Sequence, residues 1–230
     1  MDPVPDANLI RIDFPTRKEG ATSEIVNAVN RVLPEGTWLY YGYNAEYLFY
    51  PFAETRSVAE MLAFHAEERR GAMLAYVIDL YAGDLGSGES AVSLADAWLD
   101  SSGYYSLSRA GEAGPKERQL DFYGGLRWRF EEQVGEDSHR IDRIALVRTR
   151  HDLRFRADHT WSDEELNTYA CPWHHTLTAA VASFRAAKAL RTNPASRFSI
   201  DTFRWHNSTP FEWRSQQLLD LGLMEPGQWF

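Results

Sequence analysis

Along the first third of the chain the hydrophobic period switches repeatedly between that of a strand and that of a helix. This switching restricts the fold more than any other feature. Residues 9–14 (LIRIDF) alternate apolar and polar, the pattern of a half-buried strand. Ser23 can cap a helix whose apolar positions are Ile25, Val26, Val29, Val32 and Leu33, ended by Pro34, Glu35 and Gly36. Residues 38–51 (WLYYGYNAEYLFYP) form an aromatic, apolar run that predicts a buried strand carrying Glu46 near its end. Residues 55–70 return to helical spacing through Val58, Met61, Leu62 and His65, and Gly71 stops them. Residues 72–80 (AMLAYVIDL) are apolar enough for a further strand. Strand, helix, strand, helix, strand predicts an α/β protein with a mixed, partly parallel sheet flanked by helices. Ligands in such sheets sit outside the carboxyl ends of the strands, which makes Glu46 and Asp79 candidates for that rim. A carboxylate leaving the core for solvent would give the same pattern.

Beyond residue 80 the pattern is looser. Residues 83–90 (GDLGSGES) are turn-rich, and no lysine follows them in the strand-to-helix setting of a phosphate loop. Residues 91–99 predict a short helix, 100–105 a turn, and 108–117 (SRAGEAGPKE) an exposed loop. Short strands are expected at 126–130 (LRWRF) and 141–148 (IDRIALVR), and residues 153–156 alternate briefly. Ser162 followed by three acidic residues resembles a helix start. Residues 178–191 are Ala-rich with a stripe of Val181, Phe184 and Leu190, and 212–221 could form a last helix, so the C-terminal third is expected to be helical. No repeat or linker divides the chain. One domain over residues 8–230 is expected, after a tail at 1–7 that contains Pro3 and Pro5.

A net charge of −9 argues against nucleic acid as a partner but leaves room for a local cationic pocket. The single cysteine, Cys171, allows no internal disulfide, which fits a reducing, cytoplasmic compartment. No apolar run is long enough to span a membrane, and the first residues lack the pattern of a signal peptide. Aromatic residues make up 13% of the chain, as sugar-binding platforms and ordinary cores both require. His174 and His175 are adjacent and would point apart on a helix, and no zinc-type spacing or Gly-x-Ser-x-Gly elbow occurs. Asp158 beside His159 suggests a His/Asp hydrolase as a further reading, whereas the adjacency of Cys171 and His174 supplies neither the hydrogen-bond reach nor the oxyanion hole that a cysteine hydrolase needs.

WLYYGYNAEYLFYP is similar to the strand of glycosyltransferase family 2 proteins in which an Asp-x-Asp-Glu motif precedes an aromatic, apolar residues, Tyr and Pro. In that register the motif's aspartates fall on Tyr43 and Ala45, and its glutamate on Glu46. Residues 54–84 resemble the helix, strand and Asp-x-Tyr segment that follows there. GGLRWRF and IDRIALVR resemble its Gly-Gly-x-Arg and apolar-Val-Arg segments, and His159 falls where a histidine often precedes the last helix. The resemblance runs from about Arg11 to about Leu190. It implies part of a GT-A nucleotide-sugar transferase fold, a nucleotide-diphosphate sugar donor, a glycan or other hydroxyl acceptor, and a divalent cation (Mn or Mg). It also implies catalytic roles for Asp79 and His159, donor-binding roles for Arg127 and Arg148, and a metal-ligating role for Glu46.

The chain departs from the family at several places. Both motif aspartates are replaced, Ser183-Phe184-Arg185 stands where the family often has a histidine before Phe, and only about forty residues precede the motif. These departures allow two functional classes: a glycosyltransferase-like enzyme, with an oligomer as one way to complete its nucleotide site, or a non-catalytic (degenerate or truncated) binding or assembly module on the same fold.

Overall fold

The computed structural model describes residues 10, 12–85, 91–169 and 176–229. The expected tail, Cys171, His174 and His175 lie outside them. Ten strands and five α-helices are described, half of the strands forming a five-stranded sheet in the order β1 (Trp38–Tyr40), β8 (Asp142–Arg148), β3 (Ala72–Asp79), β9 (Ala179–Ser183), β2 (Glu46–Phe49). The fold is therefore mixed α/β.

At the centre lies β3 (Ala72–Asp79), buried at every position but the first. Its near-continuous apolar run suits a strand covered on both faces. It pairs antiparallel with β8 (Asp142–Arg148) and parallel with β9 (Ala179–Ser183). The partly parallel sheet is thus present, but its described parallel pair joins strands about a hundred residues apart, not the consecutive strands of the opening third. Residues 178–191, expected as one helix, divide into β9 and the helix α4 (Arg185–Thr192). All five residues of β9 are buried. Ala and Ser let β9 sit between β3 and β2 under tight cover, and that packing overrides the helix propensity of alanine. The C-terminal third is accordingly a mixture of short strands and short helices.

Residues 38–51 are not one strand. β1 (Trp38–Tyr40) lies on one edge of the sheet against β8, and β2 (Glu46–Phe49) lies on the other edge against β9. Between them the chain passes over the carboxyl end of β3. Tyr41 N donates to Ala145 O at 3.1 Å, and Phe184 N donates to Ala45 O at 3.1 Å. Ala45 has φ 61°, a left-handed conformation that turns the chain into β2.

Other expectations are corrected. The described residues of 9–14 form no strand, and Ile10 and Ile12 are exposed. α1 (Ala21–Val32) begins after Gly20 and not at Ser23, and its Val32 points to solvent. α2 (Val58–Glu67) starts at Ser57, whose side chain and that of Glu60 close a reciprocal cap. Residues 91–99 hold no helix but the start of β5 (Ala97–Asp100), which pairs with β4 (Tyr81–Ala82) and β10 (Ser208–Pro210). The expected exposed loop at 108–117 belongs to a hairpin of β6 (Tyr105–Gly111) and β7 (Gly114–Tyr123). Residues 126–130 form a short helix, α3 (Gly125–Arg129), instead of a strand. The acidic run after Ser162 enters a 3-10 turn whose cap is Asp163. α5 (Ser215–Asp220) occupies the core of the last expected helix.

The main core surrounds the five-stranded sheet. A second, smaller core of Tyr81, Leu126, Ala187, Leu190, Ile200 and Phe203 forms where α3 and α4 pack near the carboxyl end of β3.

Candidate functional site

Glu46 opens β2, and β2 runs antiparallel to β9, so the start of β2 lies beside the carboxyl end of β9. Ser183 is the register partner of both Glu46 and Asp79. The two carboxylates selected from the sequence therefore flank Ser183 on one rim.

Neither faces open space. Arg143 donates to Glu46 through Nη1 at 2.7 Å and Nη2 at 3.0 Å, Tyr43 N donates to the same carboxylate at 2.9 Å, and Ser183 Oγ at 3.3 Å. Burial on its own would raise the Glu46 carboxyl. The Arg143 hydrogen bonds and charge, the Tyr43 N–H and Arg185 outweigh it and hold the carboxyl below its ordinary value. Asp79 accepts from Arg127 N at 3.2 Å and Arg127 Nε at 3.1 Å. Here burial prevails over the arginine and pushes the carboxyl above its ordinary value.

Glu46 and Asp79 do not line the adjoining cavity of about 350 Å³, where Arg127, Arg140, Arg143 and Arg185 meet Tyr43, His159 and the carboxylates of Asp137 and Asp142. Arg185, at the start of α4, lies with its guanidinium 3.6 Å from the centre of the Tyr43 ring, and Arg143 lies 5.1 Å from it. Arg185 keeps 45% of its side chain exposed and stands 3.9 Å from Glu46, so it is the most available cation at the mouth. His159 shares a hydrogen bond with the Tyr41 hydroxyl through Nδ1 at 3.0 Å. Burial and the neighbouring arginines lower its pKa to about 4, so the ring is neutral near pH 7.

Arg148 is not brought to this site. β8 runs antiparallel to β3, so Arg143 near its start reaches the rim while Arg148 at its end lies at the opposite end of the sheet. Five strand residues separate them, roughly 17 Å, too far to grip one diphosphate together. Arg140 and Arg143 escaped the sequence reading, which met Tyr43 and Arg185 only as departures from the family motif. The only signal for Arg143 was a charge inside an otherwise buried strand. Asp158 holds Thr160 N and Oγ1, and not His159, so the two do not form a hydrolytic pair.

The residues at the motif do not fit a divalent cation. Mg and Mn seek several oxygen ligands. Tyr43 and Ala45 supply no carboxylate, and both oxygens of Glu46 already accept from a guanidinium that a cation would have to displace. What the arrangement offers instead is Arg185, the least committed guanidinium, as a forked donor suited to phosphate oxygens, with Arg127, Arg140 and Arg143 already paired to Asp79, Asp121 and Glu46. No family model matches this chain, and no curated protein and no solved structure matches it.

Proposed function

We propose that this chain is a glycosyltransferase-like binding module that takes the diphosphate of a nucleotide sugar into the rim cavity and does not transfer the sugar. The single observation that carries this reading is the closed Glu46–Arg143 pair. It puts a guanidinium where a metal-dependent transferase needs a metal-binding carboxylate. Asp79, fully buried under Arg127, is likewise withheld from an acceptor hydroxyl. The diphosphate's charge is met by Arg185, and the sequence segments similar to family 2 transferases support a nucleotide sugar as the molecule that carries it.

The test is thermal denaturation against a panel of nucleoside-diphosphate sugars, each with and without Mn²⁺. One donor should raise Tm equally in both conditions, and Arg185→Ala should remove the rise. A rise that needs Mn²⁺, or release of nucleoside diphosphate on adding an acceptor, would overturn the reading. A transferring enzyme is the second reading. One observation favours it: the neutral His159 ring lines the same cavity, where a base for the acceptor hydroxyl would have to stand.

A further inference from the structure

Arg148, excluded from the rim, has a setting of its own. At the far end of the sheet it lines a second cavity, of about 370 Å³, with Arg69, Arg70 and Arg150. Three separate segments bring these side chains together: the turn after α2, the end of β8, and the loop beyond it.

The four arginines differ in what already holds them. Arg150 is committed to Asp152 and Asp163. Arg70 donates to Thr176 Oγ1 at 3.0 Å. Arg148 donates through Nε to Gly36 O at 3.3 Å and has no carboxylate partner among the described residues. Arg69 has no side-chain partner among them either. Glu35 is the one carboxylate lining this cavity among the described residues, and it accepts from His151 N at 3.0 Å. Two guanidinium groups with no carboxylate partner among the described residues thus face one concavity in a protein of net charge −9.

The backbone adds an independent argument. α2 ends with Arg70 N donating to His65 O at 2.8 Å and Arg69 N donating to Ala66 O at 3.1 Å. This closure leaves Arg69 at φ 56°, the position glycine takes at lowest cost. Folding alone does not favour an arginine there.

We propose that this cavity is a second binding site for a compact, multiply charged oxyanion of the phosphate or diphosphate class, gripped by Arg69 and Arg148. It goes beyond the rim reading and does not depend on it. The forked donors of the two arginines approach from different segments, so both can bond one polyanion in the way guanidinium pairs with phosphate oxygens.

The experiment is calorimetric titration of inorganic pyrophosphate into the full chain and into Arg69→Gly, Arg148→Met and Arg185→Ala, at physiological ionic strength. The intact protein is expected to show two sites. Arg185→Ala should remove one, and Arg69→Gly and Arg148→Met should each weaken the other by at least about tenfold. Arg69→Gly should fold at least as stably as the parent, because glycine relieves the left-handed strain, so its loss of binding cannot be ascribed to unfolding. One site lost in Arg69→Gly and Arg148→Met but kept in Arg185→Ala would uphold this proposal and sink the rim reading. One site lost only in Arg185→Ala would do the reverse. No binding to the intact protein would overturn both.

Discussion

Glu46 and Arg143 stay charged in this protein chiefly because each has the other. Their side chains are 0% and 5% exposed, and two hydrogen bonds join them. Removing one partner of a buried pair strands the other charge in a poor solvent, at a cost of about 3–5 kcal/mol. Glu46→Gln is therefore expected to lower stability by that order in urea denaturation, with the slope of the transition unchanged. Glu46→Gln combined with Arg143→Met should recover much of the loss, because no uncompensated cation remains. A single variant within about 1 kcal/mol of the parent would mean that the pair is hydrated and that Glu46 is available for other ligands. At this scale the sequence was half informative. A carboxylate in an aromatic run marked Glu46 as unusual, but its partner lies 97 residues away and only the antiparallel direction of β8 selects Arg143 over Arg148.

The short helix α3 shows what decides an element when its own residues do not. Read alone, LRWRF suits a strand. In the structure Gly125 adopts φ 69°, and a Cβ placed there would lie 3.1 Å from Asp79 Oδ2. The turn lets Arg127 present both its backbone N–H and its guanidinium to Asp79, and the helix follows from that anchoring. Gly125→Ala is expected to cost about 1–2 kcal/mol through the left-handed conformation, and more through the crowding of Asp79. Ser57→Ala, which opens the cap of α2, should cost about 1 kcal/mol by comparison. Thermal denaturation of the two variants orders them, and a tolerated Gly125→Ala would show that Asp79 is not held by this turn. β3, β8 and α2 were legible because burial or capping is written into their own residues. β9, the β6–β7 hairpin and the split of residues 38–51 were not, because each is set by partners distant in sequence.

At the scale of the whole molecule, two histidines packed against aromatic rings tie its stability to pH. His65 is fully buried between Trp38 and Phe64, and neither ring nitrogen has a hydrogen-bond partner among the described residues. Burial, assisted by Arg70, lowers its pKa to about 4, as burial and the rim arginines do for His159. In the unfolded chain both rings titrate near 6.5. Between these values the unfolded rings bind more protons than the folded ones, so the histidines' contribution to stability falls as pH falls from about 6.5 to about 4 and is constant below that. Each ring contributes a slope of at most about 1.4 kcal/mol per pH unit in that window. The raised carboxyls of Asp79 and Asp142 act in the opposite sense, since they gain their protons earlier in the folded state. A comparison of variants therefore isolates the histidine better than the parent curve does. His65→Leu removes two unsatisfied buried nitrogens and one titrating group. It should be at least as stable as the parent at pH 8, and its stability should decline less steeply between pH 6.5 and 4. Parallel curves for the two proteins in that window would show that His65 is protonated in the folded state, and that a partner outside the described contacts reaches its ring.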